Sequence, residues 1–298
     1  MFLKKAIITG ATGFLGFVLL KELIQNEIYV YVLCRKNSSR ISRLNGLSNV
    51  EVLEVDLNCP DKINKIDGCD VFYHLAWEGE HNDFDGQYKN VEMSLNCLKL
   101  ASRLGCKRFI CTGSQAEYGN KTELITEETP LKPTTAYSAC KVATYYLTAD
   151  LAKRLNVEHT WVRVFSVYGP NDNPNTLIMT LIRDLTTKGE ASINTDGEHI
   201  WNYLYEEDAA RALRMLGWNF KTDMVYNLAS ENNKPLKIFV ENVRNAVSIN
   251  SVVNYGLEKS RVNLFVTTNK LRYDIGEFEY NGFSDGIKKN LNRMESKL

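Results

Sequence analysis

Glycines at positions 10, 13 and 16 follow the apolar run Ala6-Ile7-Ile8-Thr9, and residues 14–25 then carry apolar side chains at helical spacing. This order predicts a strand, a tight turn and a helix. Gly10 suits the turn, Gly13 lets backbone approach a phosphate, and Gly16 lets the helix pack close to the strand. A helix opening on such a turn points backbone N–H groups at an anion. Further β-branched runs at 29–33, 50–55, 71–75 and 108–111 read as strands, and 91–104 reads as a helix. Alternating β and α units predict an α/β fold built on a doubly wound parallel sheet covered on both faces.

The second half is less regular. A helix is expected over 137–153, a strand over 159–165, a turn at Tyr168-Gly169-Pro170, and helices over 175–188 and 208–216. These elements divide the chain into a dinucleotide-binding domain over 1–170, to which 201–230 returns, and a smaller substrate-binding lobe from 171–200 and 231–298 on the sheet's carboxyl edge. The 298 residues suffice for one large domain or two small ones. Lysine plus arginine equals aspartate plus glutamate at 36 each, so no general attraction to nucleic acid or to an anionic membrane is expected, and phosphate recognition must be local. Seven scattered cysteines with no C-x-x-C pair suit buried thiols in a reducing compartment, so the cytoplasm is expected. The four histidines are too dispersed to suggest a metal site. Lys4-Lys5 and the apolar stretch behind them resemble a secretory signal, but the spaced glycines and the lack of a small-residue cleavage site argue against one. No other run reaches the roughly 18 apolar residues a membrane span needs.

Chemistry concentrates at a few positions. Tyr137 and Lys141 stand at i and i+4, so both side chains leave one helical face. A free phenol titrates near ~10, and a nearby ammonium lowers that value; Lys141 is expected to do this while holding the cofactor ribose. Ser114 follows the fifth expected strand, where its hydroxyl can orient a substrate oxygen that Tyr137 protonates. After the second strand, residues 34–40 contain Arg35, Lys36 and Arg40 but no carboxylate. The 2′-phosphate of NADP would meet positive charge there, so NADP is favoured over NAD; the alternative is a solvated basic loop. Asp56-Leu57 suits adenine, with Asp56 accepting from the amino group, or merely closes a turn. Leu75-Ala76 at the fourth strand's end lets a cofactor cross the sheet edge.

As a set, Gly10-x-x-Gly13-x-x-Gly16, Asp56-Leu57, His74-Leu75-Ala76, Asn90, Ser114 with Tyr118-Gly119, Tyr137-x-x-x-Lys141 and Arg163-x-Phe165-x-x-Tyr168-Gly169-Pro170 resemble the extended short-chain dehydrogenase/reductase family, especially its nucleotide-sugar epimerases, dehydratases and ketoreductases. The resemblance implies a Rossmann domain, a nucleotide-sugar substrate and a homodimer paired through the helices over 91–104 and 137–153. It implies that Thr12, Phe14, Leu15 and the Val167 backbone join Gly10 and Gly13 at the cofactor, and that Gln115, Glu117, Ser166 and Trp201 join Ser114 and Tyr137 at the substrate. The chain also departs from the pattern. Gln115-Ala116 replaces the Asp-Glu pair of sugar-nucleotide dehydratases, which argues against dehydration. Trp201-Asn202 replaces an Arg-Asp pair that supplies a diphosphate-binding arginine, and Ser166 stands where asparagine is common. Trp201 is then a stacking surface for substrate or a filler between lobes. The resulting expectation is an NADPH-dependent 4-ketoreductase of a nucleotide-linked 4-keto-6-deoxy sugar; an NAD-dependent 4-epimerase is the nearest alternative, and a non-catalytic dinucleotide-binding regulator is the alternative of another class.

Overall fold

The computed structural model describes residues 3–295 except 61–62, 64–65, 67, 219–223 and 260–261. Its centre is a parallel sheet. The strands β1 (Lys5–Thr9), β2 (Tyr29–Cys34), β3 (Val50–Glu54), β4 (Val71–His74), β5 (Arg108–Ser114) and β6 (Glu158–Val164) are joined by a seventh, Met224–Leu228. Starting from that seventh strand, the spatial order is β6, β5, β4, β1, β2, β3. The chain winds outward from β1 in one direction and from β4 in the other, so the switch point lies between them. In such sheets the crevice at the strands' carboxyl ends takes ligands.

Strand alternation explains why both faces must be covered. Ala6 and Ile8 face a core built on α1 (Phe14–Gln25) and α5 (Glu206–Leu216), with Phe17, Leu20, Ala209 and Leu213. Ile7 points the other way, into a core with Phe72, Phe109 and Trp161 under α2 (Phe84–Arg103) and α3 (Ala136–Leu155). Each fully buried Ile, Leu or Phe among them contributes about 1.5–3 kcal/mol.

Two expectations shift in ways that matter for the site. Helix α2 starts at Phe84, well before 91, because the Asp83 carboxylate caps it by accepting from the Gly86 N–H at 3.1 Å. Strand β5 runs on to Ser114, which is therefore its last residue. α3 begins where Thr135 caps it, its hydroxyl accepting from the Ser138 N–H at 3.2 Å. Tyr137 thus lies in the first turn.

Beyond β6 a separate core forms from α4 (Leu177–Lys188), α6 (Leu236–Val247), the C-terminal helix Phe283–Glu295 and a two-stranded pair, Glu190–Thr195 with Val252–Glu258. A small apolar cluster of Tyr118, Ile125, Phe165, Ala229, Leu264 and Val266 sits between it and the sheet. No helix among the described residues is long and apolar enough to cross a membrane.

Candidate active site

The glycine turn is set by close contact. Gly10 has φ +78°, and a Cβ on it would come within 2.7 Å of the Leu75–Ala76 backbone; a Cβ on Gly16 would overlap the Gly10 carbonyl. Both positions therefore exclude side chains. Gly13 donates its N–H back to the Gly10 carbonyl at 2.9 Å, and the turn opens into a cavity lined by Gly10, Thr12, Gly13, Arg35, Leu57, Leu75 and Ala76. A second cavity adjoins it around Asp56. One Asp56 oxygen accepts from the Asn58 N–H at 2.9 Å and from its side-chain amide at 3.0 Å. That contact is the turn-closing role, although the residue also borders the cavity.

The basic loop over residues 34–40 meets a carboxylate from another part of the chain. Glu78, beyond β4, reaches the Arg35 guanidinium at 2.9 Å and lines both cavities. Residues 34–40 carry no acid, but tertiary approach supplies one.

Across the sheet edge, a cavity of about 580 Å³ holds Phe14, Leu15, Ser114, Gln115, Tyr137, Ser166, Val167 and Trp201. The Ser114 hydroxyl, which donates to the Gln115 side-chain oxygen at 3.0 Å, faces the same cavity as the Tyr137 phenol. Lys141, one turn further along α3, is fully buried: its ammonium donates to the Thr112 carbonyl at 2.7 Å and lies 3.5 Å from the centre of the Trp77 ring. Burial pushes Lys141 down to about 8. Tyr137 moves opposite to expectation. Burial raises its pKa, the nearby Ser114 hydroxyl lowers it, and the Glu117 charge raises it; the Lys141 nitrogen stands 5.8 Å from its ring centre, engaged elsewhere. In the free protein, therefore, Lys141 does not depress the tyrosine.

Glu117 must be reassigned. Its side chain is fully buried behind β5 and does not line the cavity. It accepts from Arg163 at 2.8 Å, from the Trp161 indole at 3.1 Å, and from the Ser114 N–H at 2.7 Å. A buried carboxylate needs such compensation, and here the result anchors Ser114. Trp201 borders the cavity and also packs against two cores, so the stacking and filling readings share one side chain.

Three residues escaped the sequence reading. His81 stacks on the Tyr137 ring at 4.3 Å and 9°, Trp77 meets that ring edge-on at 6.0 Å, and Glu78 pairs with Arg35. All belong to the loop after β4.

A doubly wound parallel sheet with this glycine turn at its crevice defines a Rossmann-like fold. Within it, the chain belongs to the NAD dependent epimerase/dehydratase family, whose model matches residues 6–229. It is 24% identical over 314 residues to the trifunctional UDP-glucose 4,6-dehydratase/UDP-4-keto-6-deoxy-D-glucose 3,5-epimerase/UDP-4-keto-L-rhamnose-reductase of Arabidopsis thaliana, covering 97% of this chain and 46% of that protein. The chain thus spans about half the length of that relative. It is also 24% identical to the dTDP-6-deoxy-L-talose 4-dehydrogenase (NAD(+)) of Aggregatibacter actinomycetemcomitans, covering 79% of this chain and 87% of that one. Among solved structures, UDP-N-acetylglucosamine 4-epimerase from Methanobrevibacter ruminantium M1 shares the fold at a TM-score of 0.87 and 20% identity, over 100% of both chains. UDP-glucuronic acid 4-epimerase from Bacillus cereus, in complex with NAD, does so at 0.87 and 20%, over 98% of this chain and 96% of that one.

Proposed function

We propose that the chain is an NADPH-dependent 4-ketoreductase acting on a nucleotide-linked 4-keto-6-deoxy sugar. The observation that carries the reading is that the Ser114 and Tyr137 side chains line one cavity at the sheet edge, together with Gln115. A phenol titrates near ~10, so Tyr137 carries its proton at neutral pH, as an acid that donates to a substrate oxygen requires. Dehydration would call for acids beside Ser114, yet Gln115 and Ala116 border the cavity and Glu117 is turned away into its buried network.

The residues present fit a dinucleotide. The glycine turn leaves no side chain in the way of a pyrophosphate, and its cavity runs from the basic loop at Arg35 to Trp77, which touches Lys141. We assign Gly10, Thr12, Gly13, Arg35, Leu57, Leu75 and Ala76 to the adenosine and pyrophosphate, and Phe14, Leu15, Lys141 and Val167 to the nicotinamide half. The chemistry contributed by bound NADPH is hydride donation to the carbonyl carbon. Tyr137 gives its proton to the carbonyl oxygen, while Ser114 holds that oxygen by a second hydrogen bond. Lys141, its ammonium anchored on the Thr112 carbonyl, is assigned to the cofactor ribose. We assign Trp201, which borders the same cavity, as the stacking surface for a sugar or base.

One observation favours the second reading, an NAD-dependent 4-epimerase: Glu78 brings a carboxylate to the ribose end, where NAD offers a hydroxyl. For assembly, exposed Phe84 and Tyr88 on α2 and Tyr146 and Leu147 on α3 support pairing of two copies through these helices.

The test is turnover of NADPH with a nucleoside-diphosphate 4-keto-6-deoxyhexose, comparing the parent with Tyr137→Phe. The variant keeps the ring and its stacking, so it should fold and bind NADPH while kcat falls by at least ~10²-fold. A folded Tyr137→Phe protein with near-normal kcat would remove the mechanism.

A further inference from the structure

The loop after β4 is held in place with unusual completeness at one residue. The Glu78 N–H donates to the Asn90 side-chain oxygen at 2.9 Å, and the Glu78 carbonyl accepts from the Asn90 amide at 2.9 Å and from the Gln87 amide at 3.3 Å. Asn90 and Gln87 are both buried on α2. Glu78 is therefore presented by a fixed backbone to the cavity beside Arg35, and its carboxylate has only its own side-chain reach in which to retreat.

We propose that Glu78 is the specificity-determining residue for the cofactor's 2′ position, acting against a 2′-phosphate and in favour of a free 2′-hydroxyl. This rests on the reading of the glycine-turn cavity as a dinucleotide site. Two effects compete when a 2′-phosphate enters. Arg35 must leave Glu78, which costs little, because the pair is about half to two-thirds exposed and exposed pairs are weak. The phosphate must then share a fixed neighbourhood with the Glu78 carboxylate, and that like-charge contact is the larger effect. A 2′-hydroxyl meets neither penalty, since the same carboxylate can accept its hydrogen bond while staying paired with Arg35. The basic loop and the acid thus set opposite preferences at one position, with Glu78 holding the balance.

Glu78→Gln keeps the shape and removes the charge. Dissociation constants for NADPH and NADH are measured on the full chain by calorimetry, for the parent, Glu78→Gln and Arg35→Gln. Glu78→Gln should tighten NADPH relative to NADH by about tenfold, the size of one charged contact, whereas Arg35→Gln should weaken NADPH relative to NADH. If the parent binds either dinucleotide and Glu78→Gln leaves the ratio within about twofold, or shifts it toward NADH, this proposal is overturned alone. If the parent binds neither, the proposed function falls and takes this inference with it.

Discussion

Lys141 is the residue whose environment is most at odds with its charge. An unfolded lysine holds its proton to 10.5, but the buried one releases it at about 8. Between those values the unfolded chain binds more protons than the native one, so native stability rises with pH across the window. Below about 8 the desolvated ammonium costs a constant amount. Lys141→Met removes that dependence. Relative to the parent, the variant should be most favoured at pH 7 and lose that advantage at up to about 1.4 kcal/mol per pH unit between 8 and 10.5. Denaturant melts of the cofactor-free proteins at pH 7 and 10 read it directly, and a difference that stays flat would contradict the burial argument. NADPH affinity should fall in the same variant, which separates the binding role from the cost in stability.

At the scale of elements, the turn between β1 and α1 is a close-packed joint. The start of α1 lies against the Gly10 carbonyl so tightly that a Cβ at Gly16 has no place to go. Because the obstacle is backbone, Gly16→Ala must move the helix or the turn, at a cost of about 1–3 kcal/mol. It should also misalign the N–H groups at the helix start. The expected outcome is a lower melting temperature together with loss of the thermal shift that NADPH gives the parent. A variant that melts lower yet keeps the full NADPH shift would show that the helix start does not bind the pyrophosphate. The α3 start works differently, since its Thr135 cap and first turn place Tyr137 beside Ser114 without crowding.

For the whole molecule, acid sensitivity has a traceable part. His159 is buried between α3 and β6, its Nε2 paired with the Thr148 hydroxyl at 3.0 Å, and burial first, then Lys153, pushes it down to about 4. An unfolded histidine takes its proton near 6.5. From pH 6.5 down to about 4 the unfolded chain therefore binds a proton the native one refuses, and stability falls by up to about 1.4 kcal/mol per pH unit from this group. His159→Gln deletes that contribution. Its stability difference from the parent should thus shift in the variant's favour as pH drops through this window, as urea melts at pH 6.5 and 4.5 can measure. A pH-independent difference would count against a neutral buried histidine.

The sequence by itself determined the doubly wound sheet, the glycine turn and the placing of Tyr137 and Lys141 on one helical face. Each depends on local rules: alternation of apolar runs, close approach that only glycine permits, and a helical repeat that sets i and i+4 on one face. It also located Ser114, because a strand's carboxyl end is a position in the chain as well as in space. What surrounds these residues was decided by tertiary structure. Glu78 reaches Arg35 from a loop 43 positions away, and Trp161 and Arg163 claim Glu117 across a neighbouring strand. The Thr112 carbonyl and the Trp77 ring hold Lys141 apart from the tyrosine. Charge and burial act through space, so the sign of the Tyr137 shift and the carboxylate beside Arg35 had no local signature from which to be read.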